Sequence, residues 1–485
     1  MISKKENRGN LKFNLIYEMT YRILTLITPL ITSPYISRVL GAKCLGEYSF
    51  TLSVVNYFTM IAYLGIDNYG CKMIAKKRDD SKNKEIIFWE IYYLQLLTGI
   101  TAIVLYFLYC IFFVKKNLIL FCIQGFAIIA ALLDINWYFA GTEQFKLTVI
   151  RNIIIKICTV ISIFIFVKNQ NDLVIYAMII VLGNVISQIV MWNYLFKDIN
   201  FRKINIFKSL KHMKPNISLF IPVIAITVYH TMDKTMLGIL SDYSNVGYYY
   251  NADKVISMPL GLITALGTVM LPRMANIIST KGLEEGKILL SKSFELNLFL
   301  SCSISFGIFS VSNEFVPLFF GNGYDSCIPL IKLFAPVLVI KSLSSLIQTQ
   351  LLIPNNDERI YTISTFTGAF VNLILNFSLI PNYGALGATI GTFGAELVVL
   401  LMESMFIIKT FNIFKLLWKF SIYLFAALIM VIGIKFVSDL FFISNFKKIL
   451  IEIILGGFIY LIVLIPYWFF YKDSIFNVYF QKIKK

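Results

Sequence analysis

"VYHTMDKTMLGILSDYSNVGYYYNADK" spans residues 228–254. Its first half is apolar enough to lie in hydrocarbon, yet it carries His230, Asp233 and Lys234; the second half ends on another acid–base pair, Asp253 and Lys254. A charge at the centre of a membrane helix costs about 2.5–3.5 kcal/mol on insertion scales, so the surrounding solvent must be settled first. Composition settles it. Of 485 residues, 58% are hydrophobic and 15% charged, and the mean hydropathy is +0.75, outside the range of soluble domains. The chain reads as an all-α polytopic membrane protein. A helix crossing about 30 Å of hydrocarbon needs about 20 apolar residues. Fourteen runs qualify, at roughly 13–37, 48–66, 86–113, 118–140, 147–167, 172–195, 216–240, 247–272, 293–312, 328–352, 361–380, 385–408, 418–437 and 449–471. Strands of a membrane barrel would be about half as long and would alternate in polarity.

Orientation follows from Lys and Arg. With the N-terminus placed in the cytoplasm, 29 of the 44 cationic residues fall in inside segments, 7 in outside segments and 8 within spans, so both termini are expected to be cytoplasmic. The net charge of +17 is then a topology signal with attraction to anionic inner-leaflet lipid, and it implies no nucleic-acid partner. The first apolar run carries Glu18 and Arg22 and no small-residue cleavage site follows it, so no removable signal peptide is expected. Seven cysteines lie mostly inside apolar runs without CxxC or Cys/His spacing, which suits core packing and supports no disulfide framework, metal site or cofactor. A Walker A loop is missing, so ATP is not the driver on this chain. Inter-span loops of about twenty residues at most are too short for a packed catalytic domain, which disfavours an enzyme such as a polysaccharide polymerase.

"RVLGAKCLGEYSF" (38–50) and "TMLGILSDYSNVGYYYNADK" (235–254) both place Leu-Gly at the outer end of a span and Gly-aromatic at the start of the next. They read as one hairpin used twice, with glycines supplying a tight reversal. The copies are six spans apart, an even offset that preserves orientation. The expectation is therefore two six-helix lobes related by a pseudo-two-fold along the membrane normal. The lobes would cover 1–196 and 215–410, joined by a basic cytoplasmic linker at 197–214, with two additional helices and a tail at 411–485.

Five stretches carry a family resemblance: "PYISRVLGAKCLGEYSF", "LGIDNYGCKMIAKKRDD", "DINWYFAGTEQFKLTVIRNIIIKI", "MDKTMLGILSDYSNVGYYYNADKVISMPLGLITALGTVMLPRM" and "FVNLILNFSLIPNYGALGATIGT". In this order they resemble the polysaccharide-transport (O-antigen or capsule repeat-unit) flippase family of the multidrug/oligosaccharidyl-lipid/polysaccharide exporter superfamily. The resemblance covers nearly the whole chain and weakens over the last two spans. It implies fourteen spans and a substrate, an undecaprenyl-diphosphate-linked oligosaccharide moved from the cytoplasmic to the outer leaflet of a bacterial inner membrane. Membrane lipids and a coupling H⁺ or Na⁺ are implied as further partners, with the polymerase and chain-length machinery of the same pathway as candidates. A peptidoglycan-precursor flippase and a multidrug/cation antiporter of the same superfamily remain alternatives; an excess of embedded cations argues weakly against cationic drugs.

A diphosphate and a polar glycan need a hydrated, cationic path. Arg22, Arg151, Lys156, Lys234, Lys254 and Lys341 are the expected substrate-binding cations; Lys435 is expected to snorkel, as Lys332 can. Arg22 and Lys156 lie about 14 Å from their cytoplasmic ends at 1.5 Å per residue. Glu18, Asp134, Asp233, Asp253 and Glu396 are the expected ion-coupling or pairing acids, with Glu143, Glu295 and Glu403 also embedded and nothing to select among them. Asp233 and Lys234 fall level with Asp253 and Lys254, roughly 10 Å below the outer ends of their spans. Both Asp233–Lys254 and Lys234–Asp253 pairing and competition by an anionic substrate are open. His230 reads as an interior residue, and Trp137-Tyr138-Phe139 and Tyr248-Tyr249-Tyr250 as interfacial belts with sugar stacking as the lesser reading.

Overall fold

The computed structural model describes residues 11–202, 206–408, 413–438 and 445–471, and every regular element among them is helical. Hydrocarbon offers no partner to a backbone N–H or C=O, and a helix satisfies them internally. The chain divides into two compact units, 1–238 and 239–485. This division assigns the 197–214 segment and most of the seventh span to the first unit.

The first unit holds α1 (Leu11–Tyr63), α2 (Ile66–Lys76), α3 (Ser81–Phe113), α4 (Leu118–Leu132), α5 (Asn136–Gly141), α6 (Phe145–Phe166), α7 (Leu173–Leu195), α8 (Ile206–Ser209) and most of α9 (Met213–Leu240). The second holds α10 (Tyr243–Lys281), α11 (Leu283–Phe319), α12 (Cys327–Ile347), a π-helical turn at Gln348–Leu352, α13 (Glu358–Tyr383), α14 (Ala385–Ile408), α15 (Ile413–Ser438) and α16 (Asn445–Phe470). By length and apolarity, twelve to thirteen stretches among the described residues can cross a membrane. The first of them, Ile23–Lys76, contains two expected spans, because α1 is two helices separated at Gly41 (φ 76°, ψ 169°). Each of the fourteen expected runs thus has a helix.

The repeated hairpin is built differently from its sequence reading. Only Gly41 adopts a left-handed φ; Gly46, Gly238 and Gly247 are helical. The second copy turns at Ser241–Asp242, where Asp242 accepts from the Asn245 backbone N–H at 2.9 Å and caps α10. Gly238 serves packing instead: a Cβ there would fall 2.1 Å from the Phe50 ring.

Polar sequence mistaken for loop is also helical. The expected 273–292 loop is the end of α10 and the start of α11, joined by Gly282 alone at φ 85°. About ten residues of each helix run past the expected span, roughly 15 Å at 1.5 Å per residue. At the start of α3, Asp80 accepts from Asn83, which holds its carboxyl below the usual carboxylate range.

The last two helices are not loosely appended. In a fully buried ion pair, Lys419 of α15 contacts Glu295 of α11 at 2.9 Å. Tyr423 donates to the same carboxylate at 3.1 Å, and Trp468 of α16 donates to the Tyr423 hydroxyl at 3.1 Å. This chain of polar contacts crosses three helices inside an apolar cluster that includes Leu298, Cys302, Met430 and Tyr460.

Candidate functional site

The fourth expected span breaks at Leu133–Ile135, between α4 and α5, without proline or glycine. A break frees carbonyls that must find other donors. Gln95 Nε2 donates to Ala131 O at 2.8 Å and Asp134 O at 2.7 Å, and Trp192 Nε1 donates to Leu133 O at 3.0 Å. Asp134, 7% exposed, occupies the break. Its carboxylate accepts from the Asn136 backbone N–H at 2.7 Å, at the start of α5, and from the Tyr63 hydroxyl at 3.0 Å. Arg151 and Asp67 both lie within electrostatic reach of it.

Arg151 is itself 6% exposed, and its guanidinium donates to Ser187 O at 3.1 Å, Asn136 Oδ1 at 3.1 Å and Asn152 Oδ1 at 2.6 Å. The structure thus brings Asp134 and Arg151 together, with Asn136 as the shared neighbour. In α9, Asp233 is buried and Lys234 half-buried. The adjacent Thr235 ties this face to α1 through Ser53 Oγ at 2.8 Å and Tyr57 Oη at 3.3 Å. His230 is exposed, not interior as its sequence context implies. Lys156 is half-buried on α6. Glu18 and Arg22 lie outside the residues whose side chains are described.

The second unit brings Lys341 of α12 to Glu396 of α14 at 3.1 Å, with side-chain exposures of 19% and 6%. On α10, the Lys254 ammonium sits 5.0 Å above the centroid of the Tyr250 ring, and Asp253 accepts from Ser257 at 3.2 Å. Two turns beyond Glu396, the wholly buried Glu403 takes hydrogen bonds from Gln348 Nε2 at 2.8 Å and Ser364 Oγ at 2.9 Å on one oxygen. Gln348 opens the π-helical turn, a geometry that recurs at functional sites.

Several expected roles are corrected by burial. Trp137, Tyr138 and Phe139 are 2%, 0% and 1% exposed, so they form core and neither a belt nor a stacking surface. Trp137 donates to Gln95 Oε1 at 3.0 Å, and Tyr138 bonds the Asp198 carboxylate. Tyr249 is likewise buried and shares a 2.9 Å hydrogen bond with Thr392. Glu143 is in the turn after α5, at φ 60°, and pairs with Arg78 at 2.7 Å rather than lying in a span. Lys419, one of the 29 cations assigned to inside segments although it opens the 418–437 run, is the sealed partner of Glu295. Lys332 donates to Asn313 at 2.8 Å. Of the cysteines, Cys110, Cys302 and Cys327 are buried, whereas Cys122 and Cys158 are exposed and so do not pack a core.

Residues 11–278 match the family described as polysaccharide biosynthesis protein. The chain belongs to that family. It is 23% identical over 407 residues to a protein of Escherichia coli (strain K12) named putative O-antigen transporter, covering 83% of this chain and 97% of that one. A Shigella dysenteriae protein of the same name is 25% identical over 397 residues, covering 81% and 98%. Among solved structures, the inward closed conformation of lipid II flippase MurJ matches with a TM-score of 0.75 at 17% identity, over 94% of this chain and 98% of that one. The inward-facing conformation of a multidrug resistance MATE family transporter of the MOP superfamily gives 0.61 at 12% identity, over 82% and 99%. These structures share this chain's fold, and the protein is a multi-pass membrane protein.

Proposed function

We propose that this protein is a flippase for undecaprenyl-diphosphate-linked oligosaccharide repeat units of an O-antigen or capsule. It moves them from the cytoplasmic to the outer leaflet of a bacterial inner membrane by ion-coupled alternating access. The observation that carries the reading is near full-length similarity to two proteins named putative O-antigen transporter. The residue chemistry supports it. Lys341 and Lys254 are embedded cations with exposed surface, held by a carboxylate and a ring that an anionic diphosphate can displace. Lys234 and Lys156 are half-buried and join them as candidate contacts, with Arg22. Arg151 acts here as a positioning residue, since its donors already serve protein oxygens.

Coupling to H⁺ or Na⁺ calls for an acid able to change its occupancy inside the protein, and Glu18, Asp134, Asp233, Asp253 and Glu396 are candidates, with Glu403 also embedded. Both termini are placed in the cytoplasm, so a cysteine replacing the exposed Asn322 is labelled by an impermeant thiol reagent in intact cells, whereas one replacing Lys82 is protected. The deciding experiment is deletion. Cells lacking the protein accumulate the undecaprenyl-diphosphate oligosaccharide on the cytoplasmic face and lose the surface polymer. Normal surface polymer, in a strain with no second flippase, overturns the proposal.

A further inference from the structure

Most of the embedded acids described above have a cation or several donors beside them. Glu295 has Lys419, Glu396 has Lys341, and Asp134 has Tyr63, the Asn136 N–H and Arg151 in reach. Glu403 is different. It is 0% exposed, its Oε1 takes both of its hydrogen bonds from neutral donors, and its buried Oε2 has no partner among the described residues.

The groups facing it come from three elements. On its own helix, α14, the charged neighbour is Glu396, seven residues back and already paired with Lys341. α13 presents Ser364 and the Tyr361 phenol, while Glu358 and Arg359 are exposed at that helix's end. The π-helical turn presents Gln348 and no ionisable side chain. Tyr361 of α13 and Phe406 of α14 belong to an apolar cluster with Leu346 and Leu351, to which α10, α11 and α15 contribute Met274, Leu290 and Leu416. Among the described residues a carboxylate here would be a buried charge without a counter-ion, an arrangement that proteins avoid by neutralising the group.

We propose that Glu403 carries the coupling proton: it is a neutral carboxylic acid in this arrangement and gives H⁺ to water when the ends of α12, α13 and α14 part and hydrate it. The O–H bond of the acid breaks, water takes the proton, and no electron is transferred. The proposal rests on the ion-coupled transport proposed above and names the ion and its carrier. A proton fits better than Na⁺ because Gln348 points an N–H at Oε1, as it would at the carbonyl oxygen of an acid, and the Ser364 hydroxyl, which also reaches Tyr361 O at 2.9 Å, adds one oxygen at most, whereas a metal cation requires a shell of acceptors. The π-helical turn supplies the coupling element. Its irregular winding aims Gln348 at the acid, so a charge appearing on Glu403 changes the balance between this winding and a regular one.

The test is infrared spectroscopy of the purified full-length protein across a pH series, which reads protonation without any substrate. At neutral pH the wild type shows the carbonyl band of a protonated carboxylic acid; Glu403→Gln loses that band and Glu396→Gln keeps it. In cells, Glu403→Gln retains abundance but loses surface polymer, and Glu403→Asp restores part of the export. A band unchanged in Glu403→Gln, or full export by that variant, overturns the proposal. If export in the deletion strain is normal while the band is lost in Glu403→Gln, the flippase reading falls and the buried acid stands.

Discussion

The second unit contains two embedded lysine–glutamate pairs of the same chemistry and opposite circumstance. Lys419–Glu295 is 1% and 0% exposed, and Tyr423 and Ser291 complete its hydrogen bonds. Lys341–Glu396 has nearly the same separation, but the lysine is 19% exposed. A sealed pair can only hold helices together; a pair open to water can exchange partners. Embedded charge alone therefore does not mark a transport site, and exposure separates the two roles. The sealed pair predicts the largest stability effect. Lys419→Met strands Glu295 in low dielectric and costs about 3–5 kcal/mol, read as lost membrane abundance and a lower melting temperature in detergent. Replacing both partners, as Lys419→Met with Glu295→Leu, recovers most of that loss, because an apolar pair leaves no charge behind. A double variant no more stable than the single one would show that the site is not simply an ion pair.

An intermediate effect is expected at Arg151, buried like Lys419 but held by amide and carbonyl oxygens instead of an acid in contact. Arg151→Lys keeps the charge and loses the planar fork. With each hydrogen bond to a charged group contributing about 1.5–3 kcal/mol, and an ammonium able to replace part of the set, the loss is about 2 kcal/mol. The same melting measurement checks it. No loss would mean that a lysine ammonium satisfies Ser187 and Asn136 equally well.

The spans were legible because length and apolarity are sufficient for them, and each of the fourteen runs contains a helix. What the chain concealed depends on partners distant in sequence. Nothing in "LLDIN" announces a broken helix; the break is stable because Gln95 and Trp192 arrive from α3 and α7 to take its carbonyls. Trp137 and Tyr138 were expected at an interface because aromatic residues near span ends often are, yet α3 and Asp198 enclose them. Lys419 sits where a cytoplasmic cation belongs by counting, and only the position of Glu295 on another helix reveals the pair. Glu403 was visible as an embedded acid, but its distinguishing feature, the lack of a cation among the described residues around it, is a property of three packed elements.

The open pair reverses the pattern seen at Lys419. Neutralising both partners, Lys341→Gln with Glu396→Gln, removes an interaction already weakened by water, so stability changes by about 1 kcal/mol or less. If Lys341 contacts the proposed diphosphate, export of surface polymer is nevertheless lost. Normal export by this double variant would place Lys341 with Lys419 as a structural residue.

The smallest effect is expected at Lys254, held by a ring rather than an acid. Its ammonium lies 5.0 Å from the Tyr250 centroid and 3.5 Å from the phenolic oxygen. Tyr250→Phe keeps the π face and removes the hydroxyl; Tyr250→Leu removes both. A partly exposed cation–π contact contributes about 0.5–1 kcal/mol, so Tyr250→Leu lowers stability by about that amount, whereas the phenylalanine variant stays near wild type. If the ring's purpose is to keep Lys254 placed for the substrate, surface polymer falls in the leucine variant and is retained with phenylalanine. Wild-type export by both would show that the ring is dispensable. A loss with phenylalanine as large as with leucine would assign the role to the phenol oxygen.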